Sequence, residues 1–155
     1  MGLTVSNDMS ETTDIYSLLK DIFFLLDDGD RRLFGGYNLS VSRFYILWHL
    51  GNEPGISSRR LSELMICDKS NITRLTKGLE ADGFVTRQPH ESDGRALRLF
   101  LTEEGESVRQ KALESHLAYN EQRFNCFSIN EQQSLQEQLL GLKESLFGQL
   151  YEQPA

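Results

Sequence analysis

Between Ile56 and Thr102 the apolar residues change their spacing from helical to alternating, and few folds accept that order within so short a segment. Ser57 offers an N-cap oxygen to free amides, and a short helix runs from it to about Met65, with Leu61 and Leu64 inside. Ile66-Cys67 is a brief turn, and Asp68 is the next cap. The helix it opens carries Ile72, Leu75 and Leu79 on one face and stops at Asp82-Gly83, where glycine suits the left-handed stop position. Phe84 to Gln88 then reads as a strand, and Pro89 to Arg95 as a polar turn containing Asp93-Gly94. Leu97, Leu99 and Leu101 alternate with Arg98 and Phe100, the period of a half-buried strand. The segment is therefore two helices joined by a tight turn, followed by a β-hairpin.

Helices flank it on both sides. Met1 to Thr13 is polar and is expected to be a loose tail. From Asp14, Ile15, Leu18, Leu19, Ile22, Phe23 and Leu26 fall at helical spacings. Gly35-Gly36 interrupts, and Asn38 or Ser40 caps a second helix that holds Val41, Phe44, Tyr45, Leu47, Trp48 and Leu50 and ends near Gly51. After Thr102, a further cap, a helix runs through Val108, Leu113 and Leu117. The last helix follows Ser128, and its Leu135, Leu139, Leu142, Leu146 and Leu150 form a stripe regular enough for a packed helical seam. The expected class is mainly α with a small β-hairpin (α+β).

Charge decides what such a chain can bind. The net charge is −7, which argues against a polyanion partner until its distribution is considered. Ile56 to Phe100 holds eight Lys/Arg and six Asp/Glu, a local +2, while the remainder carries −9. A polyanion must therefore dock on the middle segment. Two helices joined by a short turn is the arrangement that lays its second helix in a major groove. The outer face of that helix presents Lys69, Ser70, Asn71, Thr73, Arg74 and Lys77, with no acid between Asp68 and Glu80. Cations, hydroxyls and an amide match phosphate oxygens and base edges. The same face, taken alone, would also serve as an ordinary solvated helix surface. The hairpin tip adds Arg95, placed to enter a narrow minor groove, with Asp93 as a partner that stiffens it.

Other classes find less support. There is no glycine-rich phosphate loop and no His-Glu-x-x-His pair, and His49, His90 and His116 stand apart in the sequence, so no catalytic residue, metal or cofactor is expected. Cys67 and Cys126 make no disulfide framework, and no signal-like or bilayer-spanning apolar run is present, so a soluble cytoplasmic protein with no membrane partner is expected. A metal-responsive regulator using His49 and His116 with Glu121 or Cys126, a thiol-responsive one using Cys67, and an interaction-only helical dimer remain as alternatives.

Several motifs in order carry a family resemblance. The stretch Asp68 to Arg87, with Leu79-Glu80-Ala81-Asp82-Gly83-Phe84-Val85 at its end, Asp93-Gly94-Arg95 after it, and Leu101-Thr102-Glu103-Glu104-Gly105 beyond, resembles the MarR family of winged helix-turn-helix regulators. The resemblance is most specific over Leu39 to Gly105. It implies a homodimer whose N- and C-terminal helices intertwine, with residues 14–37 and 103–155 as the dimerisation region, 38–102 as the winged DNA-binding domain and 1–13 as a flexible tail. It further implies double-stranded DNA with a near-palindromic operator as the partner, usually under repression. Ser70, Asn71, Thr73 and Arg74 then face bases or phosphates, Arg95 is the wing-tip arginine with Asp93 its partner, and Ser57, Ser58, Arg59 and Arg60 stand where backbone contacts are expected. A small aromatic acid would act as effector in a cleft lined by Tyr16, Phe23, Tyr37, Arg43, Tyr45, Trp48 and His49.

Overall fold

The computed structural model describes residues 8–92 and 97–152. The chain forms two compact units, one ending at His116 and the other beginning at Leu117. The elements in order are α1 (Asp8–Gly35), α2 (Val41–Asn52), β1 (Ile56–Ser57), α3 (Ser58–Leu64), α4 (Lys69–Ala81), β2 (Val85–Pro89), β3 (Leu97–Leu101), α5 (Glu103–Phe124) and α6 (Ile129–Tyr151). The architecture is mainly helical with a small antiparallel sheet, as the sequence implies.

Local signals set most boundaries. Ser40, Ser57 and Asp68 cap α2, α3 and α4 by accepting from the amides of Arg43, Arg60 and Asn71. Ser128 opens α6 with a capping box: its hydroxyl accepts from the Glu131 amide, and the Glu131 carboxylate accepts from the Ser128 amide at 2.8 Å. That bond holds the Glu131 carboxyl below its ordinary value. Gly83 has φ +78 and ends α4 as the sequence requires.

The sheet has the order β1-β3-β2, so the strand that comes last in sequence lies in the middle. On one side Ile56 pairs with Leu99 and Ser57 with Arg98; on the other, Val85 pairs with Leu101, Arg87 with Leu99 and Pro89 with Leu97. The core beneath it joins Leu99, Ile56 and Val85 to Leu61 of α3, Ile72 and Leu79 of α4, and Phe44, Leu47 and Leu50 of α2. Phe34 of α1 stacks on Phe44 at 4.0 Å between ring centroids, which seats the end of α1 on α2.

The structure departs from the sequence reading at several points. The first helix begins at Asp8, so the expected tail is helical over residues 8–13; no Gly or Pro interrupts that stretch. Leu64 is 36% exposed rather than inside. It lies about 60° around the helix from Leu61, in the last turn, where the chain leaves the sheet. The first strand of the hairpin runs Val85–Pro89, one residue later than expected. In the second, Leu99 is buried while Leu97 is exposed beside the hairpin turn. Strand β1 was not foreseen, because two residues carry no alternation to detect. Asp93 and Arg95 lie outside the described residues.

The second unit consists of the end of α5 and α6. No residue of α6 is buried, and Leu139, Leu142, Leu146 and Leu150 of the foreseen stripe are all exposed. On α1, Ile15, Tyr16, Leu18, Phe23, Phe24 and Leu25 are exposed as well.

The entry to α5 is tightly held. The Thr102 hydroxyl donates to the Gly83 carbonyl at 2.6 Å and accepts from the Gly105 amide at 3.0 Å. Gly105 is buried, and a Cβ there would stand 2.0 Å from the Phe84 carbonyl oxygen. Gly105→Ala is therefore expected to destabilise the first unit by about 3 kcal/mol, the upper end of ordinary overpacking. Urea unfolding should show a lower midpoint with an unchanged slope; a midpoint like that of the wild type would contradict this packing.

Candidate nucleic-acid interface

Helix α4 is held to the core by Ile72, Leu75, Leu79 and Thr76, all buried. Its opposite face is polar. Lys69, Ser70, Arg74 and Lys77 are exposed, and Asn71 and Thr73 are half-buried. Neither Lys69 nor Lys77 is ion-paired among the described residues. Arg74 donates to the Asn71 side-chain oxygen at 2.7 Å, and the Asn71 amide nitrogen donates to the Cys67 sulfur at 3.0 Å. The Thr73 hydroxyl donates to the Lys69 carbonyl at 2.8 Å and so presents its lone pairs outward. The face therefore offers two unpaired ammonium groups and a guanidinium fork whose plane Asn71 steadies. Such a fork matches the paired acceptors of a guanine edge or a phosphate.

The N-terminal end of α4 is shaped by Asp68, which accepts from the Asn71 amide at 2.8 Å and from the Ser70 hydroxyl. The Ser70 bond, then the Asn71 amide, holds its carboxyl below the ordinary value. The turn before it places Ile66 at φ +48 with 73% of its surface exposed. A β-branched residue is strained there.

Around this helix the other candidate residues divide into two groups. Ser57 caps α3. Arg59 lies 3.2 Å from Glu63, and Arg60 lies 3.7 Å from Glu63 and 3.9 Å from Glu53, so both arginines share acids on their own surface. All are largely solvated, where such pairs are worth little and exchange partners freely. In the hairpin, Arg98 donates to the His90 Nε2 at 3.0 Å, and the Ser92 hydroxyl lies 2.9 Å from Nδ1.

Sequence reasoning missed the groups behind α4. Arg87 of β2 stands 3.0 Å from Glu80 and donates to the Thr76 hydroxyl at 3.3 Å. Arg43 of α2 is ion-paired with Asp82, the residue that closes α4. A basic residue in the middle of β2 and acids at the end of α4 were visible in the sequence, but nothing local joins them.

Of the residues expected to line an effector cleft, Tyr45, Trp48 and His49 come together as half-buried neighbours on α2. Their rings stand 6.2 Å apart for Tyr45–Trp48 and 4.9 Å for Trp48–His49. Burial holds the His49 imidazole below its ordinary value, with Arg60 adding to this and Glu53 opposing it. Tyr37 instead shares a 2.6 Å hydrogen bond with Ser115, Arg43 is turned to Asp82, and Tyr16 and Phe23 lie on the exposed part of α1. His116 lies 3.4 Å from Asp30 and packs against Phe34, Phe44 and Tyr45. Among the described residues, no three His, Cys, Asp or Glu side chains are gathered to hold a metal ion, and no helix is long and apolar enough to cross a membrane.

Helix, turn, helix and a hairpin packed against them define a winged helix-turn-helix. A sequence model of the MarR family matches residues 39–97, which run from the start of α2 to the start of β3. The HTH-type transcriptional regulator SarZ of Staphylococcus aureus (strain USA300) is 29% identical over 98 residues, 63% of this chain and 64% of SarZ. The chain thus spans a little under two thirds of the length of the curated relatives it matches. Among solved structures, the transcriptional regulator SlyA is 25% identical, with a TM-score of 0.78 over 86% of this chain and 94% of its own. FabT of Streptococcus pneumoniae, solved in complex with DNA, is 21% identical with a TM-score of 0.77, over 87% and 96% of the two chains. Over these residues the chain is similar to the MarR family, and its fold is the one these solved structures share.

The depressed carboxyl of Asp68 gives a measurable signature. Its capping contribution is fully present above the ordinary carboxyl value of 3.8 and is lost as pH falls through the lower folded value. The Asn71 amide resonance should therefore titrate with a midpoint below 3.8. Asp68→Asn keeps the acceptor and should abolish that step; a step that persists in the variant would assign it to another group.

Proposed function

We propose that this chain is a DNA-binding transcription regulator, not an enzyme, that lays α4 in a major groove and its hairpin wing along the adjacent minor groove. The observation that carries this reading is the division of α4 itself. One face is sealed in the core, and the other presents Lys69, Arg74 and Lys77 without an intervening acid. Ser70, Asn71, Thr73 and Arg74 then meet base edges or phosphates. Ser57, Ser58, Arg59 and Arg60 approach the backbone, and Arg95, with Asp93 as its partner, serves the wing. The family, the regulator SarZ and the fold shared with DNA-bound FabT support the same reading. A cytoplasmic location follows from contact with the chromosome.

The regulator acts as a homodimer on a near-palindromic operator, as a repressor released by a small aromatic acid. Support for the dimer comes from the apolar surface left uncovered on α1 and α6, since soluble monomers seldom expose such contiguous patches. Support for the effector comes from Tyr45, Trp48 and His49, whose neutral imidazole offers one donor and one acceptor beside two aromatic faces. An interaction-only helical dimer would account for the exposed helices but leaves the cationic face of α4 without a purpose.

Two measurements test this function. Arg74→Ala should cost roughly 1–3 kcal/mol on the preferred duplex and blur sequence preference, whereas Arg95→Ala should weaken binding to all duplexes alike and lower the salt slope by about one unit. Wild-type behaviour of both variants on operator and scrambled duplexes would sink the groove-and-wing docking. Separately, removal of residues 128–155 should leave a monomeric or insoluble product, and sedimentation of a well-folded truncated dimer would overturn dimerisation through the terminal helices.

A further inference from the structure

The groove-facing side chains of α4 work only if the helix is held at one rotation about its axis. Ile72, Leu75 and Leu79 bury that helix, but apolar contact is non-directional and tolerates small rotations. A turn of about 20° displaces a side chain at the outer radius of about 5–6 Å by roughly 2 Å. That is enough to lose a well-aligned hydrogen bond to a base edge.

Arg87 supplies one directional hydrogen bond and an ion pair at the right place. Its backbone is fixed by the sheet, where it pairs with Leu99 on the central strand. Its side chain is only 19% exposed, so its guanidinium is committed to the protein rather than to solvent. From there it reaches two residues one turn apart on α4, standing 3.0 Å from the Glu80 carboxylate and donating to Thr76 at 3.3 Å. Thr76 is 1% exposed, and its hydroxyl proton already goes to the Ile72 carbonyl at 2.9 Å, so a lone pair is what it offers Arg87. A polar residue on the buried face of a reading helix, bridged to the sheet by an arginine, does more than fill space.

We infer that Arg87 is a positioning residue for DNA recognition, which sets the rotation of α4 by spanning Glu80 and Thr76 from β2. The inference rests on the proposed function, in which α4 reads base edges. It assigns Arg87 no contact with DNA. It also separates Arg87 from Lys69 and Lys77, whose loss lowers affinity for every duplex.

The experiment compares wild type, Arg87→Met and Thr76→Val on a duplex selected by the wild-type protein from a random-sequence library and on a scrambled duplex, across a salt series. Arg87→Met keeps the aliphatic stem, and Glu80, being half exposed, hydrates when its partner goes. Thr76→Val keeps the shape and removes the acceptor, so it decides the question if the methionine variant does not fold. The expected result for each is a loss of roughly tenfold in the ratio of selected to scrambled affinity, the size of about one base contact. Scrambled-duplex affinity and the salt slope should stay unchanged. Equal losses on both duplexes with a salt slope lower by about one unit would make Arg87 a phosphate ligand and overturn the inference. Wild-type ratios in the folded variants would overturn it alone, whereas a wild-type protein with no preference between duplexes would sink the DNA-reading function together with it.

Discussion

Strand β3 bears on almost everything else in the first unit. Among the described residues it is the only strand that pairs on both edges, holding β1 on one side and β2 on the other. Through Ile56 it fixes where α3 starts, and through Arg87 it fixes what faces the back of α4. Its central residue, Leu99, is buried among side chains from α2, α3 and α4. A two-residue strand such as β1 has too few hydrogen bonds to persist alone. Its place depends on the pairing with β3, and the cap of α3 follows directly from it.

That dependence explains what the sequence could and could not reveal. Ser57 and Asp68 were legible as caps, and Ser40 as one of two candidates beside Asn38, because capping is decided within three residues. Gly83 was legible because a left-handed stop asks for glycine. The buried faces of α2 and α4 follow from their spacing, and the unpaired lysines of α4 from a run without acids. By contrast, β1 and the contacts of Arg43 with Asp82 and of Arg87 with Thr76 and Glu80 join residues from separate elements. No periodicity carries such pairings. Thr76, which belongs to neither the apolar stripe nor the outer-face set read from the sequence, is turned inward by the fold. Arg43 reads as a free cation near the aromatic residues of α2 until Asp82 comes within reach of it.

The same pairings sort the positive charge of an acidic protein. Arg43, Arg87 and Arg109 are drawn into ion pairs while their side chains are mostly covered, and Arg59 and Arg60 share Glu63 at the surface. Lys69, Arg74 and Lys77 remain exposed on one helix. A chain with a net charge of −7 thus keeps three exposed cations on the polar face of α4, in a stretch with no acid between Asp68 and Glu80.

The central position of β3 also bears on how the molecule is made. Helices α3 and α4 and the turn between them leave the ribosome before β3 exists, yet Ile56 finds its partner only in Leu99. Contacts between residues so distant in sequence close late, because the intervening chain must first lose its freedom. A nascent chain that stops short of Leu97 has the residues of α4 but neither the strand that seats α3 nor the sheet that sets Arg87. The polar face of α4 therefore takes its final setting only when the hairpin folds back and β3 joins the sheet.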